Sequence, residues 1–241
     1  MNVVNKKIHF SVDDTFGCFK WLNRNSESVN EIFSSNTFCY AKFIYEIFGI
    51  GTTFYCMYTD GMESLDMIDS KWSEQFQKYS AWMKFGFHGY DDGSNYNMAS
   101  MGRFADDYEK VKNALKNITG GGKCFADTLR LHCFGGNETI AAYLKKDGIN
   151  NLLCADDDRG SYGLPKEAEA CLKRTGTFLD VHTGMRYIAT NLRLENINDI
   201  ENEVQKIQRS FYNNVVIFTH ERYLRDIEIR KRLEGLLREI I

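Results

Sequence analysis

A chain of 241 residues, 43% hydrophobic and 26% charged, can bury one sizeable core and reads as an ordinary soluble globular protein. Its net charge of −3, with acids and bases interspersed, leaves no basic stripe for nucleic acid, and no run of about 20 apolar residues offers a membrane span. Seven cysteines without a Cys-x-x-Cys pair point to reduced, mostly buried thiols of a cytoplasmic protein, and residues 1–7 lack the apolar stretch of a secretory signal.

The first predicted element is a strand over 8–12, which runs straight into Asp13 and Asp14. Adjacent carboxylates repel, so the pair is solvated, shares a proton or holds a cation. A helical pattern over 30–48, a strand over 53–58 and a helical pattern over 64–82 follow, then a strand over 85–90 leading to Phe87-His88-Gly89-Tyr90-Asp91-Asp92. Beyond a helix over 108–118 comes a strand over 128–134 carrying Arg130 and His132, then a helix over 138–146. A strand over 151–155 enters Asp156-Asp157-Asp158, and Pro165 opens a helix over 166–174. A strand over 178–181, a helix over 199–211, an apolar strand over 215–219 ending at His220, and an amphipathic helix over 222–241 complete the chain.

Alternating strands and helices predict βαβ units and a parallel sheet, and the unbroken apolar run of Val215-Val216-Ile217-Phe218 fits a strand covered on both faces. Gly120-Gly121-Gly122 is a loop and not a phosphate cradle, because no strand leads in and no Lys-Ser/Thr follows. No Gly/Ser/Pro linker divides the chain, so residues 1–241 read as one barrel-like or doubly wound α/β domain. The chemically useful residues fall at strand C-termini, the face that carries the active site in α/β barrels.

These clusters, in this order, resemble the five motifs of the polysaccharide deacetylase family (the NodB-homology domain, carbohydrate esterase family four). Ser11-Val12-Asp13-Asp14 matches the family's Thr-Phe-Asp-Asp, and Thr52-Thr53-Phe54-Tyr55 its second strand. His88-Gly89-Tyr90-Asp91-Asp92 stands for His-(Ser/Thr)-x-x-His, with Asp92 in the second histidine's place. Arg130 answers Arg-x-Pro-Tyr, residues 156–162 the Asp-rich turn (without its tryptophan), and Phe218-Thr219-His220 the Leu-x-His motif. The resemblance spans nearly the whole chain and implies an α/β fold, a distorted (β/α) barrel of about seven parallel strands.

It further implies a metal-dependent deacetylase acting on an N- or O-acetylated sugar or polysaccharide, with Asp14, His88 and Asp92 as metal ligands. The ion is Zn²⁺, with Mn²⁺, Co²⁺ or Mg²⁺ competing better because a carboxylate replaces a softer histidine. The competing reading makes Asp91 and Asp92 simple turn residues before Gly93. Asp13 is the general base, and Arg130 keeps it ionised unless that arginine serves an edge salt bridge. His220 is the general acid with Asp157 as its partner, or Asp156 or Asp158 in its stead; the alternative is a capping histidine. His132, Phe218 and Tyr162 are candidate substrate contacts and His182 a further rim candidate, each with an ordinary core or hydrogen-bonding role as the alternative. His9 is structural. The second functional reading is a carbohydrate-binding or assembly protein that keeps the fold without catalysis.

Overall fold

A computed structural model describes residues 6–241, so the part of the leader reading that falls on residues 1–5 lies outside the described residues. The strands are β1 (Lys7–Thr15), β2 (Thr52–Met57), β3 (Met83–Gly89), β4 (Thr128–Leu129), β5 (Asn151–Leu153), β6 (Thr177–Leu179), β7 (Arg186–Ile188), β8 (Leu192–Arg193) and β9 (Asn214–His220). The helices are α1 (Gly17–Arg24), α2 (Asn36–Phe48), α3 (Ser73–Lys78), α4 (Met101–Thr119), α5 (Glu138–Lys146), α6 (Lys166–Thr175), α7 (Ile200–Arg209) and α8 (Ile227–Ile240).

One sheet has five parallel strands in the order β3-β2-β1-β9-β8, and a second has the order β4-β5-β7-β6, in which only the β6–β7 pair is antiparallel. At one seam the sheets meet through a parallel bridge from Phe85 to Phe125, where the Ala126 N–H donates to Phe85 O at 2.7 Å. At the other seam the chain itself crosses from β7 in the second sheet to β8 in the first, and Asn191 ties the crossing to Val216. Gly86 is required at the first seam: a Cβ there would lie 2.6 Å from a Leu129 methyl. The fold is therefore α/β with a mainly parallel strand set, split into two sheets instead of one continuous ladder.

Strand alternation sorts the side chains. Phe10, Val12, Phe54 and Phe85 face the helices and are fully buried. Phe19, Phe38 and Phe76 close over them, with ring centres 5.3–5.5 Å apart in the Phe38–Phe54, Phe38–Phe76 and Phe76–Phe85 pairs. Each such ring contributes roughly 1.5–3 kcal/mol by leaving water. The opposite parity, Ser11 and Asp13 on β1 and Phe218 on β9, faces a buried polar centre around Arg130.

Several predicted elements shorten. The strand expected over 128–134 stops at Leu129, because Cys133 and Phe134 adopt φ near +54° inside a 3₁₀ turn (His132–Phe134). The helix expected over 64–82 breaks into 3₁₀ turns at Leu65–Met67 and Ser70–Trp72 before α3; Asp69 accepts the Lys71 N–H and starts the second turn afresh. Pro165 occupies the position just before α6, one residue ahead of the first turn. Strands β7 and β8 and helix α1 answer to no predicted element.

Candidate active site

Asp13 and Asp14 are consecutive, so regular alternation would send them to opposite faces. Asp14 escapes this by adopting φ +52°, at the point where the β1–β2 register shifts between Val12 and Thr15. Such a bulge re-aims a side chain at some cost in backbone strain. The β2–β3 register shifts as well, between Phe87 and Gly89, at His88. The two irregularities bring His88 Nε2 within 3.3 Å of Asp14 Oδ1.

His88 is buried, and its Nδ1 lies 2.6 Å from the Arg130 carbonyl oxygen. A carbonyl only accepts, so Nδ1 carries the proton and the Nε2 lone pair faces Asp14 when the ring is neutral. Burial alone would lower the pKa of His88, but the charge of Asp13 and the hydrogen bond and charge of Asp14 outweigh it and raise it. Burial likewise pushes Asp14 up, yet its bond to His88, with that ring's charge and those of His220 and His132, brings it down to about 2.

Arg130 is completely buried. Its guanidinium donates to Ser11 Oγ at 2.9 Å, to Asp13 Oδ1 at 3.1 Å and to Thr190 Oγ1 at 3.1 Å, and it stacks 4.1 Å from the centre of the Phe218 ring. It is an interior clamp on Asp13, not an edge salt bridge. Phe218 is 1% exposed between this guanidinium and that of Arg193, so it is floor beneath the site and has no free face for substrate.

His220 ends β9 as the register partner of Asp13. Its Nδ1 donates to Glu195 Oε1 at 2.9 Å, and the same oxygen accepts from the His220 N–H and the Thr219 hydroxyl at 2.8 Å each. Burial raises the carboxyl of Glu195, but these bonds leave it below its ordinary value. The expected partner, Asp157, is instead exposed and chelated by its neighbour Arg159 at 2.7–2.9 Å. Asp156 pairs with Arg193 at 2.6 Å and Asp158 with Lys173 at 2.7 Å, so none of the three serves His220. Glu195 was missed because it follows a two-residue strand that carries no periodic signal; its only mark is an acid ending Leu192-Arg193-Leu194-Glu195.

Three other expected positions also move. Asp92 is exposed in the turn after β3, while Asp91 bonds back to Gly93 and Ser94, so the turn reading describes this segment. Tyr162 is 2% exposed and donates to Leu153 O at 2.6 Å, bracing β5 in the core. His182 lies exposed on the β6–β7 turn. His132 stands beside the centre, its ring 5.4 Å from that of His88.

A cavity of about 510 Å³ opens on Asp14 and is lined by Met57, Asp60, Asp92, Glu221 and Arg222 among others. A larger one of about 670 Å³, around Asp156, Lys173 and Lys206, contains none of the Asp13, Asp14, His88 or His220 side chains. The smaller, which reaches Asp14 alone of these four, is therefore the one that opens on the site. Among the described residues, no three His, Cys, Asp or Glu side chains stand close enough to form a closed metal cage. Asp14 and His88 nonetheless fit a divalent cation: when the ring is neutral, Asp14 Oδ1 is buried with no donor and faces only the His88 Nε2 lone pair at 3.3 Å, and His88 has its Nδ1 tied back. Asp92 does not join them.

No protein-family model and no curated protein matches the sequence. Solved structures do match the fold. A peptidoglycan N-acetylglucosamine deacetylase, Bc1960, superposes with a TM-score of 0.54 at 9% identity over 98% of this chain and 83% of its own. A candidate polysaccharide deacetylase from Mycobacterium smegmatis gives 0.54 at 14% identity over 98% and 85%. The fold is that of the polysaccharide deacetylases. An allantoinase, Puue, also shares this deacetylase fold, with a TM-score of 0.50 at 12% identity over 99% of this chain and 84% of its own. Architecture alone therefore does not select the activity, and the residues of the site must.

Proposed function

We propose that the chain is a metal-dependent deacetylase that removes an acetyl group from an N- or O-acetylated carbohydrate. The observation that carries this reading is the convergence of a clamped carboxylate, Asp13, a carboxylate–imidazole pair, Asp14 and His88, and a carboxylate-oriented histidine, His220. A divalent cation held by Asp14 and His88 would polarise the acetyl carbonyl and acidify the attacking water. Asp13 takes the proton from that water. Its rigid bonds to Arg130 fix the accepting oxygens, which is what a general base needs in place of a mobile side chain. His220 delivers a proton to the leaving nitrogen or oxygen, with Glu195 fixing its tautomer and supporting the imidazolium. A cavity of about 510 Å³ is of the size that takes a small ligand or a sugar unit of a longer one. The seven unpaired cysteines suit a reducing, cytoplasmic setting.

Exposure of Asp92 favours the second reading, a carbohydrate-binding protein that has lost catalysis, because it removes one expected ligand. Acetate release from N-acetylated and O-acetylated oligosaccharides separates the two. Asp13→Asn and His220→Ala are expected to abolish release while circular dichroism stays native. Wild-type rates in either variant would remove the mechanism.

A further inference from the structure

We infer that the sugar taken at this site carries an anionic group, held by Arg222 and Arg225 at the cavity that opens on Asp14, an inference that rests on the carbohydrate reading above. Both arginines are exposed and both line that cavity. Arg222 leads into the 3₁₀ turn Tyr223–Arg225, which Arg225 closes. Side chains three residues apart on such a turn eclipse, so the two guanidinia stand on one side of it. Leu224 points the other way and is 1% exposed, which fastens the turn to the core. The approach to the turn is fixed as well. The Glu221 N–H donates to Asp13 O at 2.9 Å, and its buried carboxylate accepts the Phe16 and Gly17 N–H groups at 2.9 and 2.7 Å. The cations are thus presented on a rigid support directly after His220.

Charge around the cavity is unevenly satisfied. Asp14 faces His88, Asp60 pairs with Lys20, Asp91 accepts from Gly93 and Ser94, and Glu221 is committed to the start of α1. Arg222 and Arg225, by contrast, make no ion pair among the described residues; Arg222 lies over the Tyr223 ring, 4.9 Å from its centre. Like charges on one side of a turn repel, and an anion placed between them removes that repulsion. The planar fork of a guanidinium matches an oxyanion with paired N–H donors, so a carboxylate or a sulfate on the sugar is the fitting group. Asp92, exposed on the same cavity, is left to accept from sugar hydroxyls. A neutral acetylated sugar gains nothing from the two arginines.

Titration calorimetry on the purified full chain tests this without turnover. One pair of probes is a hyaluronan tetrasaccharide, which alternates N-acetylglucosamine with glucuronic acid, and its neutral, carboxyl-reduced form. The other pair is a sulfated N-acetylglucosamine oligosaccharide and its desulfated form. The acidic member of at least one pair is expected to bind about tenfold or more tightly than its neutral counterpart, the scale of a hydrogen bond to a charged group. The pair that shows the preference names the anion as carboxylate or sulfate. Arg222→Ala and Arg225→Ala are each expected to lose most of the preference. Arg238→Ala, which removes an exposed arginine paired with Glu234 on α8, is expected to keep it. Equal binding of acidic and neutral probes in both pairs, or an equal loss of preference in Arg238→Ala, overturns the inference. Charge-selective binding without acetate release from any of these sugars supports it and removes the catalytic reading instead. Acetate release with no preference for either acidic probe keeps the catalytic reading and overturns the inference.

Discussion

Asp13 and His220 are register partners on the paired parallel strands β1 and β9, so their side chains leave the sheet on the same face. Each is anchored from a different direction, Asp13 by Arg130 from the end of β4 and His220 by Glu195 from the turn after β8. A base and an acid thus sit on adjacent strands, Asp13 held by a group from the β3–β4 seam and His220 by one that follows the neighbouring strand β8.

The buried ion pair gives the first expectation. Truncating one member of such a pair strands the other charge without solvent, at a cost of about 3–5 kcal/mol. Arg130→Met is expected to destabilise the protein by that amount in urea denaturation, with part of the loss recovered in the Arg130→Met/Asp13→Asn double variant. A cost below about 1 kcal/mol would mean that the clamp on Asp13 is not held in solution.

Glu195 and Asp157 separate cleanly by activity. General acid catalysis contributes on the order of 10²–10⁴ in rate, and Glu195→Gln removes the charge that supports the acid form of His220. A fall in kcat of about 10–100-fold with KM nearly unchanged is expected for Glu195→Gln. Asp157→Asn, which loses only an exposed contact to Arg159, is expected to keep wild-type kcat. The reverse pattern would restore Asp157 as the partner of His220.

Much of this arrangement was legible in the sequence, and the illegible parts share a cause. Strands β1, β2, β3 and β9 have six to nine residues and strong apolar runs, so Asp13, Asp14, His88 and His220 could be placed at their ends. Strands β7 and β8 have three and two residues, too few for period-two alternation to register, and Glu195 was lost with them. Asp92 stands in the second histidine's place, four residues after His88, but the turn that ties Asp91 to Gly93 and Ser94 leaves Asp92 exposed. Helix α1 was hidden because Glu221, 204 residues away from Gly17, accepts the Phe16 and Gly17 N–H groups in place of a local cap. Long-range satisfaction of this kind leaves no trace in a window of neighbouring residues.

Backbone strain at Asp14 is open to direct measurement. Asp14→Gly and Asp14→Ala both delete the carboxylate and differ mainly in tolerance of φ +52°. A left-handed conformation costs a side-chain-bearing residue about 1–2 kcal/mol more than glycine. The Gly variant is therefore expected to melt about 2–4 °C higher than the Ala variant for each kcal/mol of that strain. Equal melting temperatures would show that the strand end relaxes.

Stability at acid pH carries the mark of His9. Partly buried at the other end of β1, beside Tyr55, it is held down from its ordinary 6.5 to about 3, first by burial, then by Arg130, against a smaller opposing pull from Asp127. The folded form binds fewer protons than the unfolded chain, so the contribution is fully present above pH 6.5 and is lost as pH falls toward 3. His9→Gln is expected to flatten the decline in melting temperature between about pH 7 and pH 4.5 relative to wild type. An unchanged decline would assign the acid sensitivity to other groups.

The central claim is tested most directly by acetate release from an acetylated chito-oligosaccharide, measured on one preparation before chelation, after chelator removal of metal, and after return of one equivalent of Zn²⁺. Release that disappears on chelation and returns with Zn²⁺ is the expected result. Absence of acetate from the Zn²⁺-loaded, folded protein with every N- and O-acetylated sugar offered would contradict it and leave a carbohydrate-binding protein on a deacetylase fold.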